Sequence, residues 1–245
     1  ARIWQRVAAR RVLGRCQALF THAQVLASEL RRAYPSVPVG AYGLPAAGNP
    51  ARPDRGDSRK TLGLPEDRRV ALFLGLIRPY KGVDLLLEAA SFLPVESDWL
   101  IVVAGEPWGD LGGRLENQAE ELGLGERVRL DLRWIPEPQV PTLLAAADVL
   151  VLPYRRGSQS AMAPMALAQG VPVLSTAVGG VPEVVRDGVN GVIVPPGDPA
   201  AIAKALEGLA IERIGELADG ALKSAEDLTW FGYAASFEEL LQEIA

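Results

Sequence analysis

The segment Gly75-Leu76-Ile77-Arg78-Pro79-Tyr80-Lys81-Gly82 sets two cations around a glycine-flanked turn, directly after an apolar run at residues 70–76. A guanidinium can clamp two phosphate oxygens in a fork, and an ammonium adds a compact charge. At the carboxyl edge of a sheet the pair suits a pyrophosphate. The only other lysines are Lys60, Lys204 and Lys223, which makes Lys81 conspicuous in an arginine-biased chain. The order is not that of a P-loop, since Gly follows Lys, and no G-x-G-x-x-G is present. The plainer alternative leaves Arg78 solvated and Lys81 without a role.

Two further segments carry groups of interest. Arg155-Arg156-Gly157-Ser158-Gln159-Ser160-Ala161 follows the apolar run 149–152. Its residues 158–161 are expected at a helix N-terminus, with N–H groups facing an anion and hydroxyl and amide groups facing a sugar; an ordinary Ser N-cap is the alternative. In Val178-Gly179-Gly180-Val181-Pro182-Glu183 the paired glycines permit close backbone approach, and Glu183 suits the first turn of a helix, a structural role more than a catalytic one.

Other chemistries are nearly excluded. Cys16 is the single cysteine and His22 the single histidine, so a His/Cys metal site or a Ser-His-Asp triad is close to excluded. A net charge of -5 opposes nucleic-acid binding through a basic field. No apolar run reaches the roughly 20 residues that span a bilayer. The chain begins with Ala, which reads as a processed or excised fragment.

The elements that must hold these groups alternate. Strands are expected at 18–23, 37–42, 70–76, 99–104, 127–132, 149–152 and 171–174, and helices at 1–15, 24–33, 81–92, 111–122, 138–147, 200–210, 211–226 and 229–244. Helix 1–15 is basic and amphipathic. Asp198-Pro199 is an N-cap followed by a first-turn Pro. Residues 43–58, rich in Gly, Pro, Asn and Asp, are the best linker candidate. The pattern is α/β, a doubly wound parallel sheet with ligands at the carboxyl ends of its strands.

The blocks GLIRPYKGVDLLLEA, LIVVAGE, AADVLVLPY, ALAQGVPVLSTAVGGVPEVV and DGVNGVIVPPGDPAAIAKAL, in this order, resemble the nucleotide-sugar-binding half of GT-B-fold glycosyltransferases of family 4, the glycosyl transferases group 1 class. The resemblance is nearly continuous from about residue 60 to 210. It implies a Rossmann-like donor domain at 61–226, a residual N-terminal-half segment at 1–45, an interdomain linker at 46–60 and a C-terminal helix at 227–245 that returns toward the N-terminal half.

It further implies retaining hexosyl transfer from a UDP- or GDP-linked sugar with no metal, Arg78 and Lys81 stabilising the departing diphosphate. Gly75, Trp134, Ile135, Ser158, Gln159, Ser160, Ala161, Gly179 and Gly180 would line the donor, with Trp134-Ile135-Pro136 where backbone groups hold the base. Two departures stand out. The family's usual Arg position is Leu76, so Arg78 must substitute. Its two usual glutamates fall on Gly157 and Met165, and Gln159 and Ser160 are the candidate replacements at the sugar. The acceptor, a saccharide or a lipid-linked one, would belong to the missing N-terminal half, so the fragment alone should bind donor and transfer poorly. His22 is expected to have no catalytic part. The expected location is the cytoplasm, with the inner face of the cell membrane open to helix 1–15. A degenerate nucleotide-sugar-binding module remains an alternative, and a GT-B sugar-nucleotide epimerase a weaker one.

Overall fold

The computed structural model describes residues 11–46 and 52–244. Residues 1–10 of the helix expected at 1–15, and the centre of the linker, lie outside the described residues. The main body is a six-stranded, wholly parallel sheet in the order β5-β4-β3-β6-β7-β8. Its strands are β3 Arg69–Leu74, β4 Trp99–Ala104, β5 Val128–Asp131, β6 Val149–Leu152, β7 Val173–Thr176 and β8 Gly191–Val194. The central strands are apolar throughout because helices cover both faces, and Phe73, Ile101, Leu150 and Val173 are fully buried.

The covering helices are α2 Arg55–Leu62, α3 Val83–Phe92, α4 Leu111–Glu121, α5 Val140–Ala146, α6 Met162–Ala168, the single turn α7 Val181–Val184, α8 Pro199–Glu207 and α9 Ile211–Ala225. Ahead of them a smaller unit pairs β1 Leu19–Thr21 with β2 Val39–Ala41 in parallel, joined through α1 Gln24–Ala33. The last helix, α10 Trp230–Ile244, packs on this unit, with Phe20 edge-on to Tyr233 and Phe237 at centroid distances of 5.3 and 5.4 Å.

Three expectations need correction. The stretch read as linker contains the start of α2. Asp54 caps that helix by accepting the Asp57 N–H at 3.0 Å, and Gly63 ends it in the left-handed conformation, so local capping chemistry overrides a loop-like composition. Residues 191–194, not among the expected strands, form the edge strand β8; the side chain of Asn190 closes the preceding turn by accepting the Arg186 N–H and donating to Val184 O. Helix α6 begins at Met162 with Ala161 as its N-cap, so of the residues 158–161 expected at a helix N-terminus only Ala161 lies at the helix boundary, and 158–160 precede it.

Arg59 ties α2 to the sheet. Its guanidinium, almost wholly buried, donates to the carbonyls of Pro65, Arg68 and Ala146 and to Asp148 Oδ2 at 2.7 Å. The same carboxylate accepts the Val70 N–H and an outer hydrogen bond from Arg55. Removing one member of a buried pair strands its partner's charge, whereas an exposed partner contributes little. Arg59→Ala should therefore lower unfolding free energy in urea by about 3–5 kcal/mol, and Arg55→Ala by no more than about 1 kcal/mol.

Candidate functional site

Strand order reverses between β3 and β6, since β3 is followed by a crossover to β4 on one side while β6 leads to β7 on the other. The loops after β3 and β6 diverge there and open a crevice at the carboxyl edge. The first of them is 75–82 and the second 153–161. Arg155 N donates to Tyr80 O at 2.8 Å, so the two loops also touch.

Lys81 closes a short 3-10 turn, Pro79–Lys81, that ends on Gly82 at φ 70°. A Cβ on Gly82 would lie 2.1 Å from Pro153 O, so only glycine lets the β3 loop rest on the β6 loop. The Lys81 ammonium then lies against Gly75, where it would be 3.5 Å from a Cβ at that position, and 5.7 Å from the Tyr154 ring centroid. Burial, and secondarily the charge of Arg78, lowers its pKa from the ordinary lysine value of 10.5. Among the described residues no carboxylate pairs with it. A half-buried cation beside a second cation is poised for an anion.

Arg78 is held differently. Ile77 N donates to Glu106 O and Trp108 N to Ile77 O, which sets the β4 loop beside the β3 loop. The guanidinium stacks on the exposed Trp108 indole, 3.7 Å from the ring centroid. It also lines a cavity of about 560 Å³ together with Asp84, Arg114, Gln118 and Arg155. Arg155 is neutralised there by Asp84, with both oxygens engaged at 2.6 and 2.7 Å. Sequence reasoning gave Trp108 and Asp84 no role, because their roles arise from loop pairing in the folded chain.

The β6 loop is braced from inside. Tyr154 is buried, its phenol pushed up to about 12 by desolvation against an opposing hydrogen bond with Ser160, and the two hydroxyls lie 3.3 Å apart. Thr176 donates to Tyr154 O at 2.6 Å. Gly179, at φ 52°, brings the β7 loop so close that a Cβ would lie 2.1 Å from Gly157 O, and Gly180 N donates to Ser158 O. The glycine pair thus shapes the loop at 157–158. Ser160 is buried against Tyr154, and the Gln159 side-chain amide donates to the His22 carbonyl. Those two side chains are thus engaged within the protein, whereas Ser158 is exposed.

The remaining candidates lie along the same edge. Trp134 is exposed after β5, Ile135 is half-buried, and Arg133 beside them pairs with Asp131 at 2.8 Å. Glu183 does not enter the crevice; its two oxygens accept the N–H groups of Gln24 and Val25. Among the described residues no three His, Cys, Asp or Glu converge as metal ligands, and no helix is long and apolar enough to cross a membrane.

The sheet has the general doubly wound order, and its likeness to solved glycosyltransferase structures makes the fold that of a GT-B half. The model of the family described as glycosyl transferases group 1 matches residues 54–223, and the chain belongs to that family. It is 39% identical over 184 residues to a D-inositol 3-phosphate glycosyltransferase of Thermomonospora curvata, a match covering 71% of this chain and 42% of that protein. The chain spans less than half the length of such curated relatives. Among solved structures, sucrose-phosphate synthase from Thermosynechococcus elongatus superposes with a TM-score of 0.86 at 22% identity, over 97% of this chain and 61% of that one. Anabaena Alr3699/HepE, solved with UDP and glucose, gives 0.82 at 21%, over 97% and 66%.

Gly82→Ala combines a left-handed backbone with a backbone clash. The substitution should cost about 2–4 kcal/mol in thermal or chemical unfolding. Gly157→Ala, where a new Cβ meets only Tyr154 at 3.7 Å, should change stability by less than about 1 kcal/mol.

Proposed function

We propose that this chain is the donor-binding half of a retaining family 4 glycosyltransferase that takes a UDP- or GDP-linked hexose. The observation that carries the reading is the Lys81 ammonium, desolvated and without a carboxylate partner among the described residues, at the switch point of the sheet. In this reading the diphosphate lies against Lys81 and the open backbone of Gly75, with Arg78 reaching it from the Trp108 platform. As the glycosyl bond breaks, negative charge grows on the β-phosphate, and fixed cations stabilise it without reorganising. No metal is needed for that role. The base lies by Trp134 and Ile135. The sugar lies by Ser158, Ala161 and the backbone near Gly179 and Gly180. The usual glutamates are replaced by Gly157 and Met165, so the sugar is held by hydroxyl and backbone groups. A front-face, retaining transfer asks for no strong protein nucleophile.

The acceptor belongs to the rest of the enzyme. The names of the relatives favour a phosphorylated polyol of the inositol 3-phosphate kind over a lipid-linked saccharide. A non-catalytic nucleotide-sugar-binding module is the second reading, favoured by the absence of a carboxylate at 157 and 165 and by the inward commitment of Gln159.

Calorimetric titration with UDP, GDP and their glucose and mannose conjugates tests the reading. One of these nucleotides should bind, and Lys81→Met should weaken it by roughly 10- to 100-fold, the loss of a charge-assisted hydrogen bond of about 1.5–3 kcal/mol. Removing an uncompensated cation should leave thermal stability equal or higher. Absence of binding by every nucleotide, or equal binding by Lys81→Met, sinks the donor site. Sugar transfer by the full-length enzyme separates the catalytic reading from the module.

The sign of the pH dependence follows from the lowered pKa of Lys81. An anion favours the charged form, so affinity should hold at neutral pH and fall as pH rises through the depressed pKa. In that window the unfolded chain still carries the proton that the folded one has lost. The contribution of Lys81 to stability without ligand therefore rises with pH. A nucleotide affinity that stays flat up to the ordinary lysine range, in the same calorimetric series, would contradict this.

A further inference from the structure

Helix α1 has no N-cap of its own. Ala23 occupies the cap position without a side-chain hydrogen bond, and the first turn carries no acidic residue. The Glu183 carboxylate, on α7, supplies the cap instead, Oε2 accepting from Gln24 N at 2.7 Å and Oε1 from Val25 N at 2.8 Å. It meets the two free donors and the positive end of the helix dipole together. Beside it the Gln159 amide donates to His22 O, and a Cβ on Gly180 would lie only 2.3 Å from the Ala23 Cβ. Three contacts thus join the β1–α1–β2 unit to the loops after β6 and β7, with no slack between Ala23 and Gly180.

These contacts are continuous with the donor loop. Gln159 belongs to it, and Gly180 N holds Ser158 O. We propose that Glu183 is a positioning residue, the anchor of a latch that couples occupancy of the donor loop to docking of the β1–α1–β2 unit. The proposal rests on the donor reading above. Gln159 and Gly180 already meet His22 and Ala23 while Glu183 keeps α1 in register, and a nucleotide held against the same loop would add to the stability of that docked arrangement. With α1 uncapped, the loop loses one wall. Coupling of this kind is reciprocal: whatever factor nucleotide adds to docking, docking adds to nucleotide affinity.

The test is hydrogen–deuterium exchange at the Gln24 and Val25 amides, with and without saturating UDP or GDP, in the wild-type chain, Glu183→Ala and Glu183→Gln. Loss of the cap should speed exchange at these two amides by about five- to tenfold, with the Phe73 amide in the core unchanged as a sign of intact folding. Gln can accept one bond but turns an NH2 toward the other amide, so it should lie nearer to Ala than to Glu. Nucleotide should slow the two amides in the wild type, and Glu183→Ala should lose affinity by the factor that nucleotide adds to their protection, about fivefold or more. Unchanged exchange in Glu183→Ala overturns the latch, whatever the ligand does. Nucleotide binding that leaves wild-type Gln24 and Val25 exchange unaltered overturns the coupling alone. If neither nucleotide binds the wild type, the donor reading falls and the coupling with it, while the comparison of variants still decides whether the cap exists. Gln159→Leu, which leaves Glu183 in place, should reproduce part of the effect.

Discussion

Backbone rests on backbone along the carboxyl edge of the sheet, and the crevice depends on it. Gly82 lies against the Pro153 carbonyl, and Gly179 lies against that of Gly157. Each contact fixes the distance between neighbouring loops more tightly than side-chain packing can, because no rotamer can relax it. The loop after β3 is thereby locked to the loop after β6, and the loop after β6 to that after β7. The ammonium of Lys81, the carbonyl of Ser158 and the Gly179-Gly180 turn consequently form one rigid rim. The sheet below supplies the foundation, through a core of fully buried β-branched and aromatic side chains and through the Arg59–Asp148 pair that holds α2, α5 and β3 together.

Onto that rim the fold places cations in two ways. Lys81 is made costly by burial against Gly75 and Tyr154 and by its neighbour Arg78. Arg78 is held in place by stacking on Trp108 and lies in a cavity where Arg155 is already paired with Asp84. An anion placed among them would relieve like-charge repulsion and replace lost hydration. Such a site spends folding stability on readiness, since the uncompensated charge is tolerated in the empty protein so that little need move when ligand arrives.

Much of this was legible in the residues, but unevenly. Strands such as VALFL and LIVVA announce buried parallel strands by their length and apolar continuity, and Asp198-Pro199 announces a helix start that the Ala201 N–H confirms. Loop-rich composition misled at residues 55–58, where a single capping Asp outweighs Gly and charged neighbours. The edge strand β8 was hidden because GVIV is short and half-buried. At the site, Lys81 and the Gly-Gly pair were visible because a local pattern frames them. The stacking of Trp108, the inward turn of Ser160 and the reach of Glu183 to α1 were not visible, since each depends on a partner 6 to 159 residues away in sequence whose proximity only the folded chain creates.

In the proposed donor reading, the residues at 157 and 165 take on a sharper meaning from the geometry. A Cβ at position 157 would meet only Tyr154, at an ordinary contact distance of 3.7 Å, so the fold itself leaves room for a side chain there. Met165, by contrast, sits half-buried against the apolar core. A carboxylate at that position would trade core contact for desolvation unless a ligand hydroxyl met it. The two substitutions are therefore not equivalent. The glycine at 157 keeps an open, uncharged wall next to exposed Arg155 and Arg156, whereas the methionine at 165 adds packing under α6. In the proposed donor reading, the positive potential set by Lys81, Arg78 and Arg156 would meet no offsetting carboxylate from positions 157 and 165. A crevice of that kind would select for the anionic part of a ligand and be permissive toward the rest.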